Sequence, residues 1–180
     1  MMTHMQEWYL RRASENDVEQ IYLLLSIPEV YRYLADGAAA PRSKIEEWFE
    51  NTRAENADNS LGLWILENNE EQIAGCVSLE MKDQPQTAEL VYLLHPQFWG
   101  QGLATRMSWT IMQRAFQEGH VDQILAGADE PNIASIAVMR RVGMTFLRKV
   151  QYPLGPGVEY VRRHDDPAPL RFPATIPIIG

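Results

Sequence analysis

Cysteine is almost missing from this sequence: Cys76 stands alone in 180 residues. One thiol excludes an internal disulfide framework and any multi-cysteine zinc site. It lies in the apolar run Ile73-Ala74-Gly75-Cys76-Val77, where it reads as a small core residue rather than a nucleophile. Positive charge is also in short supply. Lys and Arg total 16 against 24 Asp and Glu, a formal net charge of −8. That argues against a nucleic-acid partner, since phosphate binding needs clustered cations, and it suits a cationic substrate such as an amine. No apolar run is long enough to cross a membrane. Residues 1–6, Met-Met-Thr-His-Met-Gln, have neither the basic nor the apolar region of a signal peptide, so a cytoplasmic protein is expected. His4, His120 and His164 are scattered and make no recognisable ligand set; no metal site is expected. His95, which precedes Pro96, reads as structural.

What is present fits one globular domain, with 46% hydrophobic and 22% charged residues. Glu7 to Arg12 reads as a first strand, and Ser14 with Asp17 as a capping box opening a helix through Val18, Ile21, Tyr22 and Leu25. Pro28 opens a short helix through Tyr33, and Pro41-Arg42-Ser43 begins another that carries Ile45, Trp48 and Phe49. Trp48, Phe49, Tyr31 and Tyr33 read first as core aromatics. The polar stretch from Asn51 to Ser60 reads as a loop. Leu61 to Leu66, Gln72 to Met81 and Ala88 to Leu94 form an antiparallel meander joined at Asn68-Asn69 and Lys82-Asp83-Gln84-Pro85. The period then changes: Leu103, Met107, Ile111 and Ala115 recur every four residues along a long helix that Gly119 ends. A strand from Val121 to Ala128, a helix from Asn132 to Val142, and a hairpin of Met144–Gln151 and Val158–Arg163 complete the series. Arg162-Arg163 with Asp165-Asp166 reads as a solvated charge cluster. The order predicts an α+β domain over residues 1–163, with a mixed, mostly antiparallel sheet and one right-handed parallel crossover, followed by a proline-rich irregular tail over 164–180.

The densest chemical signal is His95-Pro96-Gln97-Phe98-Trp99-Gly100-Gln101-Gly102-Leu103-Ala104-Thr105-Arg106. A strand runs into two glycines and a helix start. Glycines let successive N–H groups converge, and a helix start adds unpaired donors and the positive end of its dipole; together they suit a diphosphate. The dinucleotide fingerprint would need glycine where Thr105 stands, and the Walker loop would need Gly-Lys-Ser/Thr. Taken alone, the two glycines fit a close helix–strand approach equally.

Two longer stretches narrow the choice. Glu89-Leu90-Val91-Tyr92-Leu93-Leu94-His95-Pro96 followed by Trp99-Gly100-Gln101-Gly102-Leu103-Ala104-Thr105 resembles motif A of the GCN5-related N-acetyltransferases. Asn132-Ile133-Ala134-Ser135 with Arg140-Arg141-Val142-Gly143-Met144 resembles motif B. The pattern looks most like the branch that acetylates N-termini of ribosomal proteins. The resemblance implies an acetyl-CoA-dependent N-acetyltransferase acting on a protein N-terminus or a small amine in a ternary complex. It implies a cofactor site at Leu93, Leu94, Trp99, Gly100, Gln101, Gly102, Leu103, Ala104, Thr105, Asn132 and Ser135, and a homodimer through the final hairpin or tail. Two positions depart from the family pattern. Trp99 replaces the usual Gln or Arg, which leaves phosphate contacts to backbone N–H groups; Met139 stands where many members carry the tyrosine that protonates the departing thiolate.

Direct transfer requires a neutral amine, a stabilised oxyanion and an acid for sulfur. The resemblance implies an oxyanion donor among the backbone N–H groups near Leu93 and Leu94, where the strands part. Glu89 is the only acidic residue between Thr87 and the glycine turn, and it reads either as the base or as a solvated residue at a strand start. Asn132, Ser135 and Met139 share a helical face by spacing, while Ile133, Ile136 and Ala137 suit the core. Asn132 reads as a ligand to the pantetheine amide, a helix cap, or both. Ser135 reads as the group at sulfur or as an ordinary first-turn serine. Tyr92 is a rival acid that alternation puts on the sheet face opposite Glu89. With the motif B tyrosine gone, a sensor that binds acetyl-CoA without turnover stays open as a second function.

Overall fold

One seven-stranded sheet organises the chain, described over residues 7–54 and 59–179 by a computed structural model. The strands are β1 (Trp8–Arg12), β2 (Gly62–Asn68), β3 (Ile73–Met81), β4 (Thr87–Leu94), β5 (Gln123–Asp129), β6 (Thr145–Tyr152) and β7 (Gly155–Arg163). They lie in the order β1-β2-β3-β4-β5-β7-β6. Every neighbouring pair is antiparallel except β4 and β5, as the α+β reading requires. The helices are α1 (Val18–Leu25), α2 (Pro28–Tyr31), α3 (Arg42–Ala54), α4 (Leu103–Glu118) and α5 (Ile133–Arg141).

Alternation along the strands builds two cores, one on each side of the sheet. On one side α4 and α5 bury Leu103, Met107, Ile111, Met112, Ile136 and Met139 against Leu90, Leu94, Ile124 and Ala126. On the other, α1 and α3 bury Ile21, Leu24, Ile45 and Phe49 against Ile65, Cys76 and Leu93. Cys76 is inside this second core, and burial pushes its thiol well above the usual range. The capping box exists: Asp17 accepts from the Ser14 backbone N–H at 2.7 Å. It opens a turn of 3-10 helix, Glu15–Asp17, before α1 proper begins.

Several local expectations are corrected. Helix α3 runs on through Asn51 to Ala54 instead of ending in a loop. Thr52 Oγ1 donates back to Trp48 O at 2.8 Å, which lets a polar residue continue the helix; residues 55–58 of that expected loop lie outside the described residues. The last hairpin is tighter than the Pro153–Gly157 stretch suggested. Tyr152 pairs with Gly155, so only Pro153 and Leu154 turn. Gly157 makes this register feasible, because a Cβ there would sit 2.2 Å from the Tyr152 ring. Arg162 is buried rather than solvated. Its Nη1 donates to Gly143 O at 3.0 Å and Pro167 O at 3.2 Å, and its guanidinium lies over the Trp109 ring.

The segment after β7 has little regular structure, yet it returns to the sheet. Ile176 is buried in the α4-side core, and its N–H donates to Thr110 Oγ1 at 2.9 Å. Leu10 N donates to Pro177 O at 2.8 Å and Ile179 N to Leu10 O at 2.9 Å, laying a short parallel bridge along β1.

Candidate active site

The parallel pair β4–β5 is registered for only three residues, Thr87, Ala88 and Glu89 opposite Gln123, Ile124 and Leu125. Gln123 Nε2 donates to Thr87 Oγ1 at 2.9 Å and ties the closed end. Beyond Glu89 the strands separate, so they part four residues earlier than the region of Leu93 named from the sequence. The opening widens into a cleft of about 1000 Å³ between β4, the α4 start, α5 and α2, at the upper end of small-molecule sites.

Backbone polarity along β4 follows from one bond. His95 N donates to Ala74 O at 2.7 Å, and the β3–β4 register is unbroken. In an antiparallel ladder, donors alternate. The N–H groups of Glu89, Val91, Leu93 and His95 therefore point at β3; on the other edge Leu90 N–H belongs to the β4–β5 ladder, and those of Tyr92 and Leu94 point into the cleft. Of the two residues expected near the oxyanion, Leu94 faces the opening through its backbone and Leu93 does not. The Leu94 carbonyl, on the same edge, accepts from Trp99 Nε1 at 2.8 Å. Behind this point Gly75 has no room for a side chain: a Cβ would stand 2.1 Å from Leu93 O.

A 3-10 turn, Pro96–Phe98, precedes the two glycines. His95 is structural here, its Nδ1 accepting from Gln97 N. Gly100 and Gly102 have φ of 77° and 74°, in the left-handed region that glycine alone enters without strain. Gly102 is also the N-cap of α4 and brings no side chain to the first-turn donors. Those N–H groups, at Leu103, Ala104 and Thr105, are therefore open to an anion. Trp99, Gly100, Gly102, Leu103, Ala104 and Thr105 line the cleft, whereas Gln101 is exposed outside its lining. Trp99 serves the turn through its indole bond to Leu94 and remains 45% exposed.

Helix α5 forms the opposite wall. Asn132 is its N-cap, and Oδ1 accepts from Ser135 N at 3.2 Å. The face inferred from spacing is rotated. Met139 is fully buried in the core, while Ile133, expected in the core, is 69% exposed at the cleft mouth. A first-turn residue at the lip of an opening has no neighbour to cover it; Met139, two turns in, lies against the sheet. Ala137 borders the cleft as well. Ser135 is not free: its Oγ lies 2.7 Å from Tyr92 Oη, which also donates to Ser135 O at 2.9 Å. Burial, partly offset by the Ser135 bond, raises the Tyr92 hydroxyl to about 12. The sequence offers no sign of this pairing across 43 positions.

Glu89, as alternation predicts, is on the sheet face away from Tyr92. It ion-pairs with Lys82 Nζ at 2.8 Å and pairs across the strands with Glu80. Two neighbours on this face went unnoticed in the sequence. Glu159 of β7 pairs with Gly127 of β5 and holds Arg148 at 2.6 Å. Tyr152 stands over Gly127, where a Cβ would meet its hydroxyl at 2.0 Å. Burial first, then the carboxylates Glu159, Glu89 and Asp129, push that hydroxyl up to about 12. Alternation around buried Val158 and Tyr160 would have put Glu159 on this face. Glu29, Arg32 and Tyr33, at and just after α2, line the cleft from the far side, and Leu154 at the hairpin tip packs against Gly37 just beyond them.

A family model for the acetyltransferase (GNAT) domain matches residues 8–145. The chain belongs to this family. The acetyltransferase is 24% identical over 158 residues to YkkB of Bacillus subtilis (strain 168), covering 86% of this chain and 91% of that one. Among solved structures it resembles RimL, a ribosomal L7/L12 α-N-protein acetyltransferase bound to coenzyme A, with a TM-score of 0.74 and 18% identity over 87% of this chain and 94% of the other. It also resembles a spermidine N-acetyltransferase from Vibrio cholerae bound to CoA and spermine, with a TM-score of 0.73 and 15% identity over 88% and 96%. At such identities the likeness is one of fold. Membership of the family makes the chain an acetyl-CoA-dependent enzyme that acetylates amines, and the open α4 donors with the glycine turn are the features that fit the diphosphate of the coenzyme. Among the described residues no helix is long and apolar enough to cross a membrane, and no group of three or more His, Cys, Asp or Glu could hold a metal ion.

Proposed function

We propose that this acetyltransferase acts on a slender, cationic primary amine of small-molecule size. The observation that carries this reading is the set of carboxylates beside the parting strands. Glu89 stands where β4 and β5 separate, Glu159 two strands away on the same face, and Glu29 across the cleft. A protonated amine is drawn towards such a face. The contact between Leu154 and Gly37 narrows the approach, which favours a thin chain over a folded surface.

In this reading the coenzyme lies along β4, with its diphosphate on Gly100 to Thr105 and its pantetheine arm by Asn132. The Leu94 N–H polarises the acetyl carbonyl. Glu89 takes the proton of the incoming amine, directly or through water, and Lys82 releases it when the cationic acceptor arrives. An α-amine asks less of the base than a lysine-like amine, about 7.7–8.0 against about 10.4.

The experiment is thiol release from acetyl-CoA with three acceptor classes: monoamines, linear polyamines, and peptides with the free N-termini of ribosomal proteins. Highest kcat/KM with a small polyamine supports the proposal, and highest turnover with the peptides refutes the acceptor class. Tight CoA binding with no thiol release on any acceptor would favour the sensor. Glu89→Gln should lower kcat about a hundredfold at saturating amine; an unchanged kcat removes Glu89 as base.

A further inference from the structure

The family's tyrosine position is spent on the core at Met139, yet a tyrosine still reaches the same helix from the facing strand. Tyr92 Oη touches both Oγ and the carbonyl oxygen of Ser135, at 2.7 and 2.9 Å. Both residues line the cleft. We propose that Tyr92 is a positioning residue that sets the direction of the Ser135 hydroxyl, so that Ser135 donates a hydrogen bond to the coenzyme sulfur only when that sulfur becomes negative. The inference rests on the cofactor placement of the preceding section.

Two hydroxyls bring two protons to three acceptors: Tyr92 Oη, Ser135 Oγ and Ser135 O. In one arrangement Tyr92 donates to the carbonyl and Ser135 donates to Tyr92, and neither proton faces the cleft. In the other, Tyr92 donates to Oγ and the Ser135 proton turns outward. Only O–H rotations separate them. A thioether-type sulfur is a weak acceptor and leaves the closed arrangement in place. A thiolate is a strong one, and its bond with Ser135 is reinforced by the Tyr92 donation behind it. As the carbon–sulfur bond breaks, the electron pair goes to sulfur and the Ser135 proton remains on Oγ, shared in a hydrogen bond; the coenzyme takes its proton from water as it leaves.

Tyr92 does not supply the proton itself. Its hydroxyl is raised to about 12, while a thiol sits near 8.5, so transfer from tyrosine to thiolate runs uphill by more than about a thousandfold. The pair acts as donors that stay protonated. Because the bond exists only with negative sulfur, its loss lowers kcat and leaves ground-state affinity alone.

The test compares Tyr92→Phe, Ser135→Ala, Ser135→Thr and the double variant Y92F/S135A. Hydrogen bonds to charged groups translate into about 10- to 100-fold, and we expect kcat to fall by that factor in Y92F and S135A. The double variant should fall little further, and Ser135→Thr, which keeps the hydroxyl, should recover most of the rate. The affinity for CoA at pH 6, by calorimetry, should stay within about twofold. A readout independent of turnover is the ultraviolet absorbance of thiolate in the CoA complex. Its titration midpoint should rise by about one pH unit in Y92F and in S135A, the equivalent of a tenfold change. Superimposable thiolate titrations in the wild type and both single variants, or additive losses in the double variant, would overturn the proposal. If the wild-type protein does not bind CoA at all, the cofactor placement fails first and this inference with it. Should Y92F not fold, the S135A and S135T pair decides by the same titration.

Discussion

The two ends of the cleft are built from different materials. The end proposed for phosphate is backbone: two left-handed glycines and the uncapped start of α4, with no charged side chain required. The end proposed for reaction is assembled from side chains and strand edges that meet across the chain, with Tyr92 on Ser135, Glu89 on Lys82 and Trp99 on Leu94. Backbone sites tolerate substitution nearly everywhere except at the glycines. Side-chain sites are sensitive at many positions, each with a modest effect. In this reading, cofactor binding and acceptor choice rest on separable parts of one cleft.

Three variants probe that division, beginning with the largest effect. Gly75→Ala forces a Cβ to within 2.1 Å of Leu93 O, which is backbone and cannot swing away. It should destabilise the protein by about 3 kcal/mol, at the upper end for overpacking, read as a lower denaturant midpoint. Protein that still folds should show depressed kcat, since the displaced segment carries the Leu94 N–H. An unchanged midpoint would mean that β4 yields and that the reacting end is softer than described.

The pair Gly100→Ala with Gly102→Ala comes next. Nothing lies within 4 Å of either added Cβ, so the penalty is conformational, about 1–2 kcal/mol per residue for a left-handed L-residue. CoA affinity should fall about tenfold or more by calorimetry, with kcat at saturating acetyl-CoA nearly intact. A large drop in kcat would dissolve the distinction between the two ends. Trp99→Phe should have the smallest effect. It removes one bond to Leu94 O, worth about 1 kcal/mol, and should reduce kcat/KM for acetyl-CoA about fivefold. As a side-chain link from the turn back to the strand, it reports how far the ends are coupled.

The same contrast separates what the sequence discloses from what it conceals. The glycine turn is local: positive φ demands glycine at 100 and 102, and helix periodicity from Leu103 marks the start of α4. The order of strands and helices follows from alternation and turn residues in the same way. The orientation of α5 does not. Nine residues span only two and a half turns, so a small error in rotation turned Met139 towards the cleft and Ile133 towards the core. The Tyr92–Ser135 contact depends on how β4 and α5 dock, which no spacing encodes. Glu159 was hidden for a different reason: alternation gives its face, but its closeness to Glu89 is evident only once β7 is paired with β5, next to β4. Arg162 looked like a surface charge beside Asp165 and Asp166, and only the returning C-terminal segment shows it buried over Trp109.

That returning segment bears on how the protein behaves in a crowded solution. An unpaired strand edge is a template on which another chain can polymerise. At β1 the template is already used at its centre, where Leu10 exchanges bonds with Pro177 and Ile179. At the other edge β6 is open, and it displays Phe146 and Leu147. A second chain adding to this sheet by edge pairing would therefore meet hydrogen-bonding groups already taken at Leu10 on one side, and the open, partly apolar β6 on the other.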